Sequence, residues 1–156
     1  MMNQSLIEQN VPTREQIDRL QDEVLKLPQV ENVVTDHFFS GGMYCRRVWR
    51  PANTLVIGKV HKFDHFFMCV MGEIIAWSET GMRVLKPGDV IESKAGTKRV
   101  TYAMADSIGM TVHKTDKTDI EEIEDELVEF DPKAVYGPGN KLLDTALSDL
   151  QKAIEE

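Results

Sequence analysis

The sequence has few of the features that assign a function quickly. It holds only two cysteines in 156 residues, Cys45 and Cys69, and neither belongs to a C-x-x-C motif. A thiolate metal finger or a redox dithiol is therefore not expected. Both cysteines lie in apolar, strand-like segments, where a free thiol behaves as a small hydrophobe. A reducing, cytoplasmic setting is the corresponding expectation. No run of about 18 apolar residues occurs, so no membrane-spanning helix is expected, and the N-terminus lacks a charged-then-apolar signal pattern. Positive charge is in deficit: 18 Lys and Arg against 26 Asp and Glu give a net charge of −8. Such a surface repels nucleic acid. The G-x-S-x-G elbow, the P-loop and the HExxH helix are all missing. Neither Ser93 nor Cys69 has a neighbouring base that would make it a nucleophile.

What is present organises into three parts: a tail and helix over residues 1–30, a β-rich domain over 31–116, and acidic and amphipathic helices over 117–156. Residues 1–11 are polar and aperiodic. Thr13 with Gln16 has capping-box spacing, Ile17, Leu20, Val24 and Leu27 form one apolar stripe, and Pro28 is the expected stop. From Glu31 to about Thr115, short segments rich in Val, Ile, Phe, Tyr and Thr alternate with turn signals such as Ser40-Gly41-Gly42, Gly72-Glu73 and Lys86-Pro87-Gly88-Asp89. Strands are expected near 32–39, 42–50, 53–60, 65–71, 73–78, 82–85, 89–93, 98–104 and 107–114. Turn spacing of about 8–12 residues suggests an antiparallel sandwich or barrel. Beyond Lys117 the chain is acidic, with Thr118 or Asp119 as helix cap and Ile120, Ile123, Leu127 and Val128 as the apolar stripe. A last helix is expected from about Lys141, with Leu143, Leu147, Leu150 and Ile154 on one face. These terminal stripes suggest a homo-oligomer that buries them.

The richest stretch runs from Gly58 to Gly72, where a polar corner carrying Lys59, His61, Lys62, Asp64 and His65 joins two apolar segments. From Val56 to Val100 the chain resembles the cupins, small antiparallel jelly-roll barrels. Gly72 matches the closing glycine of their first motif. Counting back puts His65 at that motif's glutamate position, His61 at its second histidine and Lys59 at its first. Leu85-Lys-Pro-Gly-Asp-Val-Ile91 resembles the entry to the second motif, in which Lys94 replaces proline and Arg99 replaces histidine. The resemblance covers about residues 40–115. It implies a mostly β jelly roll with an N-terminal helix and C-terminal helices. The family's metal site uses three imidazoles and a carboxylate, so cations at two of the four positions imply that the metal has been lost. Arginine stays protonated and is no ordinary ligand, and a divalent ion beside two cations is disfavoured. No cofactor is the primary expectation. The alternative is one divalent transition metal held by His61, His65 and His113. His37 is expected to be an ordinary strand residue.

By strand parity Lys59 and His61 share a side with Leu55 and Ile57. If that side is the interior, Lys59, His61, His65 and Arg99 gather at the barrel mouth, with Arg47, Lys98 and Tyr102 nearby. That set suits a small anion, with Phe67, Trp49 or Trp77 as apolar walls. A one-residue register slip would move the set outside.

Lys94-Ala-Gly-Thr-Lys-Arg99, Val112-His-Lys-Thr-Asp-Lys-Thr-Asp119 and the Ile120–Leu127 helix are similar to single-domain cupin-like proteins of tailed bacteriophages, which implies synthesis in the cytoplasm of an infected bacterium. Three functions are therefore in view. The first is binding, without turnover, of a sugar phosphate, nucleotide or signalling molecule. The second is a cupin enzyme, either a metal-dependent dioxygenase or a sugar isomerase or epimerase using His61 or His65 as base. The third is a virion structural or assembly module making contacts with other virion proteins.

Overall fold

The structure, a computed structural model, describes residues 12–78 and 81–134. Two helices and nine strands follow in order: α1 (Arg14–Val24), β1 (Val34–Ser40), β2 (Met43–Arg50), β3 (Leu55–Ile57), β4 (His65–Met71), β5 (Ile74–Ser78), β6 (Gly81–Leu85), β7 (Val90–Ser93), β8 (Val100–Ala103), β9 (Ser107–Lys114) and α2 (Ile120–Leu127). All nine expected strands are present. The expected helix beyond Lys141 and the N-terminal tail lie outside the described residues. No helix among the described residues is long and apolar enough to cross a membrane.

The strands form two antiparallel sheets, ordered β1-β2-β9-β4-β7 and β3-β8-β5-β6. Phe67 and Cys69 from the first sheet pack with Ile74, Ala76 and Leu85 from the second, and Ile91 joins them. This cluster fixes which face of each strand is interior. Burial of each large side chain here stabilises the sandwich by about 1.5–3 kcal/mol. In β2 the interior face is Tyr44, Arg46, Val48 and Arg50, because these residues oppose His113, Thr111, Gly109 and Ser107 of β9. Gly109 is interior in mid-strand for a steric reason. A Cβ there would sit 3.2 Å from the Phe67 ring and 3.4 Å from the Arg50 guanidinium, so glycine leaves the space both occupy.

β1 and β3 are edge strands, and the sheets do not close on each other at this side. The chain from Val24 to Val33 and the end of α2 cover the opening. α1 begins with the expected capping box: Gln16 N–H donates to Thr13 Oγ1 at 3.2 Å and Thr13 N–H donates to Gln16 Oε1 at 2.9 Å. It ends at Val24, before Pro28, and the Gln29 side chain then donates to the Val24 carbonyl at 2.9 Å. Ile17 is buried, but Leu20 and Leu27 are exposed, so only part of the expected stripe is covered.

Asp119 caps α2, accepting from Glu122 N–H at 3.1 Å. Its stripe of Ile123, Leu127 and Val128, flanked by Ile120, packs on Tyr44 of β2. This apolar face is therefore covered within the chain and does not need a second subunit.

Candidate functional site

The corner from Lys59 to His65 is held from outside the sheets. His61 makes an isolated antiparallel bridge with Val128. Lys62 N–H donates to the Leu127 carbonyl and Glu129 N–H to the Val60 carbonyl, both at 2.8 Å. On the other flank Gly96 N–H donates to the His61 carbonyl at 2.8 Å, and Asp64 accepts from Ala95 N–H at 2.7 Å. The end of α2 thus aims His61 inward. Strand alternation does not do so, because β3 stops at Ile57. That corrects the parity argument that grouped Lys59 and His61 with Leu55 and Ile57.

Three imidazoles converge there. His61 comes from the corner, His65 begins β4 and His113 lies near the end of β9. Their ring centroids are 4.1 Å apart for His61–His65, 4.7 Å for His65–His113 and 5.5 Å for His61–His113. One nitrogen from each lies within 4.8 Å of the others. His65 and His113 are each 6% exposed. A carbonyl can only accept, so the 3.2 Å contact to Phe63 makes His65 Nδ1 the donor and leaves the Nε2 lone pair available. His113 Nε2 lies 2.8 Å from the Thr111 hydroxyl. Donation in that direction leaves its Nδ1 lone pair free in the same way. Such bonds set the tautomer of a ligating histidine.

All three rings are held neutral. Burial lowers His61 to about 2, helped by His65, Arg46, His113 and Arg99. Burial lowers His65 to about 4, against the bond to the Phe63 carbonyl and with Arg99 and Arg46 adding to the shift. Burial, His65 and Arg46 lower His113 to about 3. Tyr44 stacks on His113 with centroids 5.7 Å apart, and His37 stacks on Tyr44 and meets its hydroxyl at 2.7 Å. His37 is a strand residue of β1, as expected, and joins the ring stack behind the cluster.

The expected cations divide. Arg99 stays close, its guanidinium 5.1 Å from the centre of the Phe67 ring. Lys59 reaches the cavity wall but is paired with Glu124 of α2. The other two, Lys98 and Arg47, do not face the imidazoles, and neither does Tyr102. Lys98 is buried beneath α1, where it donates to Asp18 at 2.7 Å and Gln21 at 2.6 Å. Arg47 lies on the outer face of β2, bonded to Asp36 at 3.0 Å and stacked on Phe38. Tyr102 bonds Asn53 at 2.9 Å on the outer face of β8, the face opposite Thr101. Trp49 and Trp77 alternate outward with Arg47 and Val100, so of the three expected aromatic walls only Phe67 is interior. Outward alternation removes Arg47, Tyr102, Trp49 and Trp77 from the pocket, and the bonds to α1 remove Lys98.

The interior cations that matter are Arg46 and Arg50. Both line a cavity of about 320 Å³ that also reaches His61, Lys59 and Glu124. Arg50 is 5% exposed and donates to Thr101 Oγ1 at 2.6 Å across the two sheets. Neither has a carboxylate within ion-pair distance among the described residues, and the Nε atoms of both are buried without a hydrogen-bond partner. Burial, then Arg46, lowers Arg50 to about 10, which still leaves it charged at neutral pH. A metal fits this donor set in a rearranged form. Of the cations at two motif positions, Lys59 is paired with Glu124 and Arg99 lies over Phe67, and His113, from outside both motifs, supplies the third imidazole. No carboxylate joins the three among the described residues. Bonds of about 2.0–2.1 Å to nitrogen would require the rings to turn inward from their present separation.

No protein-family model matches the sequence, and no curated protein matches it. Solved structures do. KdgF from a Halomonas species aligns with a TM-score of 0.50 and 15% identity, over 58% of this chain and 87% of that one. A cupin superfamily protein from Desulfitobacterium hafniense gives a TM-score of 0.48 and 14% identity over 69% and 96%. The Cupin_2 domain of an XRE-family transcriptional regulator from Enterobacter cloacae gives 0.48 and 9% over 56% and 100%. At these identities the likeness is one of fold alone, two antiparallel sheets of the jelly-roll class.

Proposed function

We propose that this chain is a cupin-fold protein that holds a divalent transition metal on His61, His65 and His113 and binds a small anionic molecule beside it. The carrying observation is the convergence of three neutral imidazoles, two buried and His61 half-buried, whose nitrogens lie within 4.8 Å of one another. Neutral imidazole is the form that ligates, and desolvation keeps it neutral without a proton having to leave on binding. When bound, the metal would supply Lewis-acid polarisation of a ligand oxygen. Three neutral ligands leave its charge uncompensated beside Arg46 and Arg99. An anion in the adjoining cavity offsets that charge, which is why the metal and the anion belong to one reading. Arg46 supplies the cation that the sequence had suggested for Lys59.

A metal-free anion pocket is the second reading. It is favoured by the cations flanking the imidazoles, which oppose a divalent ion. Metal-free epimerisation with His61 or His65 as base is disfavoured, because a catalytic base works best with a pKa near the operating pH and these rings lie at about 2 and 4. The similarity to phage proteins implies an infected bacterium as the source, and mass spectrometry of banded particles tests a place in the virion.

The discriminating experiment is titration of chelator-treated protein with zinc, cobalt or nickel, followed by calorimetry and elemental analysis. One ion per chain in the wild type, lost in His61→Gln and His113→Gln, supports the metal centre. Absence of binding, or binding that survives both substitutions, would leave the metal-free pocket.

A further inference from the structure

Two arginines that line one cavity, Arg50 buried and Arg46 half-buried, call for an explanation that the imidazoles do not supply. Arg46 and Arg50 are four residues apart on one face of β2, with Val48 between them, and Arg46 adds to burial in lowering Arg50. Their Nε donors are buried and unpartnered. Lys59, which lines the same cavity, has Glu124 as its counter-ion, and Asp131, which also lines it, is bonded to Gln21 at 3.0 Å and lies 3.9 Å from Lys98. Arg46 and Arg50 have no carboxylate of their own among the described residues. Buried guanidinium donors left unpaired are costly, so two in one cavity favour an anion that accepts from both.

The remainder of the cavity is apolar. Val24, Leu27, Val33, Val48 and Val56 line it, Val56 from β3 where it pairs with Thr101, and its volume of about 320 Å³ is at the small end of ordinary ligand pockets, about 300–1,000 Å³. A bare phosphate or acetate would satisfy the guanidinium groups and leave these walls wet. A multiply hydroxylated sugar would leave its own hydroxyls unpaired against them.

We infer that the cavity takes an amphipathic carboxylate, with its head on Arg46 and Arg50 and an apolar chain or ring along β3 and the segment from Val24 to Val33. This deepens the anion half of the reading above and does not depend on the metal. The carboxylate matches the planar fork of an arginine in a bidentate pair. The apolar body would bury the exposed inner faces of the edge strand and of the covering segment. In this arrangement α1 and the chain after it form the roof of a ligand site, and dimer contacts are not required of them.

The test is thermal unfolding of the full chain, chelator-treated, with octanoate, octan-1-ol, acetate and inorganic phosphate at equal concentration. Octanoate is expected to raise the melting temperature by several degrees, with little effect from the other three. Arg50→Lys keeps the charge but loses the fork, and should weaken octanoate by about 10-fold or more, the usual effect of losing a charge-assisted hydrogen bond. Val24→Trp fills the apolar end from the covering segment, leaves both arginines in place and should abolish the octanoate shift. It also serves as the test if arginine substitution prevents folding. His113→Gln should leave the octanoate shift intact while removing any metal-induced shift, so failure of the metal centre and failure of the carboxylate site read differently. A phosphate or octan-1-ol shift equal to that of octanoate, or an octanoate shift retained in both Arg50→Lys and Val24→Trp, would overturn the inference. So would the absence of any octanoate effect on the wild type.

Discussion

Consider a change from about pH 8 to about pH 5, made in the presence of a chelator so that no metal masks the imidazoles. His61, His65 and His113 are lowered to about 2, 4 and 3, in each case mainly by burial. In the unfolded chain each returns to about 6.5. Above that value neither state binds the proton and the groups are silent. Below it the unfolded chain takes up protons that the folded chain refuses, so stability falls as the pH drops, until each folded pKa is reached. At about pH 5 an unfolded imidazole of pKa about 6.5 gains roughly 2 kcal/mol from protonation. Three such groups together approach about 6 kcal/mol as an upper bound, because local opening and mutual coupling relieve part of it. Domains of this kind have about 5–15 kcal/mol in total, so the effect should be plain in urea titrations. His37 is lowered in the same direction, by burial and then Arg46, and adds to it. Asp131, whose carboxyl is held below the ordinary range by Gln21, the Lys133 N–H and Lys98 against the opposing effect of burial, loses its contribution only at lower pH, outside this window. A His65→Asn, His113→Gln double variant retains one of the three groups and should lose only about a third as much between the two pH values. Equal losses in wild type and double variant, or a wild-type stability unchanged over the interval, would refute the buried-imidazole argument.

Other substitutions probe the supports of the site. Lys98→Met strips Asp18 and Gln21 of their shared donor and should cost about 1–3 kcal/mol, with faster hydrogen exchange concentrated in α1; unchanged exchange there would show that Lys98 does not anchor the helix. Gly72→Ala and Gly96→Ala form a matched pair, since both glycines have positive φ, at +80° and +86°. At Gly96 a Cβ meets nothing within 4 Å and the cost should be only the left-handed backbone, about 1–2 kcal/mol. At Gly72 it would fall on Ser107 Oγ and the Asp106 carbonyl, so its chemical-denaturation midpoint should drop clearly further. Leu127→Ala should cost about 2–5 kcal/mol and also weaken metal binding, because the bridge that aims His61 starts at the next residue. A variant with lowered stability and unaltered metal affinity would break that link.

Much of the scaffold was readable from local chemistry. Thr13 and Gln16 specify their capping box within one turn. The Gly-Glu and Pro-Gly-Asp turns mark strand ends closely enough to place all nine strands. His61 and His65 were legible from motif spacing, and His113 from its place near the end of the last strand. The cations were not, for a geometric reason. β2 carries Arg46, Arg47 and Arg50, so arginine occurs on both of its faces, and alternation alone cannot say which face is interior. Tyr44 and Val48 share the face of Arg46 and Arg50, and that apolar pairing was the available signal. Lys59 does line the cavity, but its partner Glu124 could not be foreseen, because it lies 65 residues away on a helix that looked merely solvated. The same distance hid the role of α2 in aiming His61.

The most direct test is anomalous diffraction from crystals of the chelator-treated protein soaked in a zinc or cobalt salt. The account predicts one dominant peak about 2 Å from a ring nitrogen of each of His61, His65 and His113, with Arg46 facing the open side. Peaks confined to surface carboxylates, with the three rings unmoved, would contradict it.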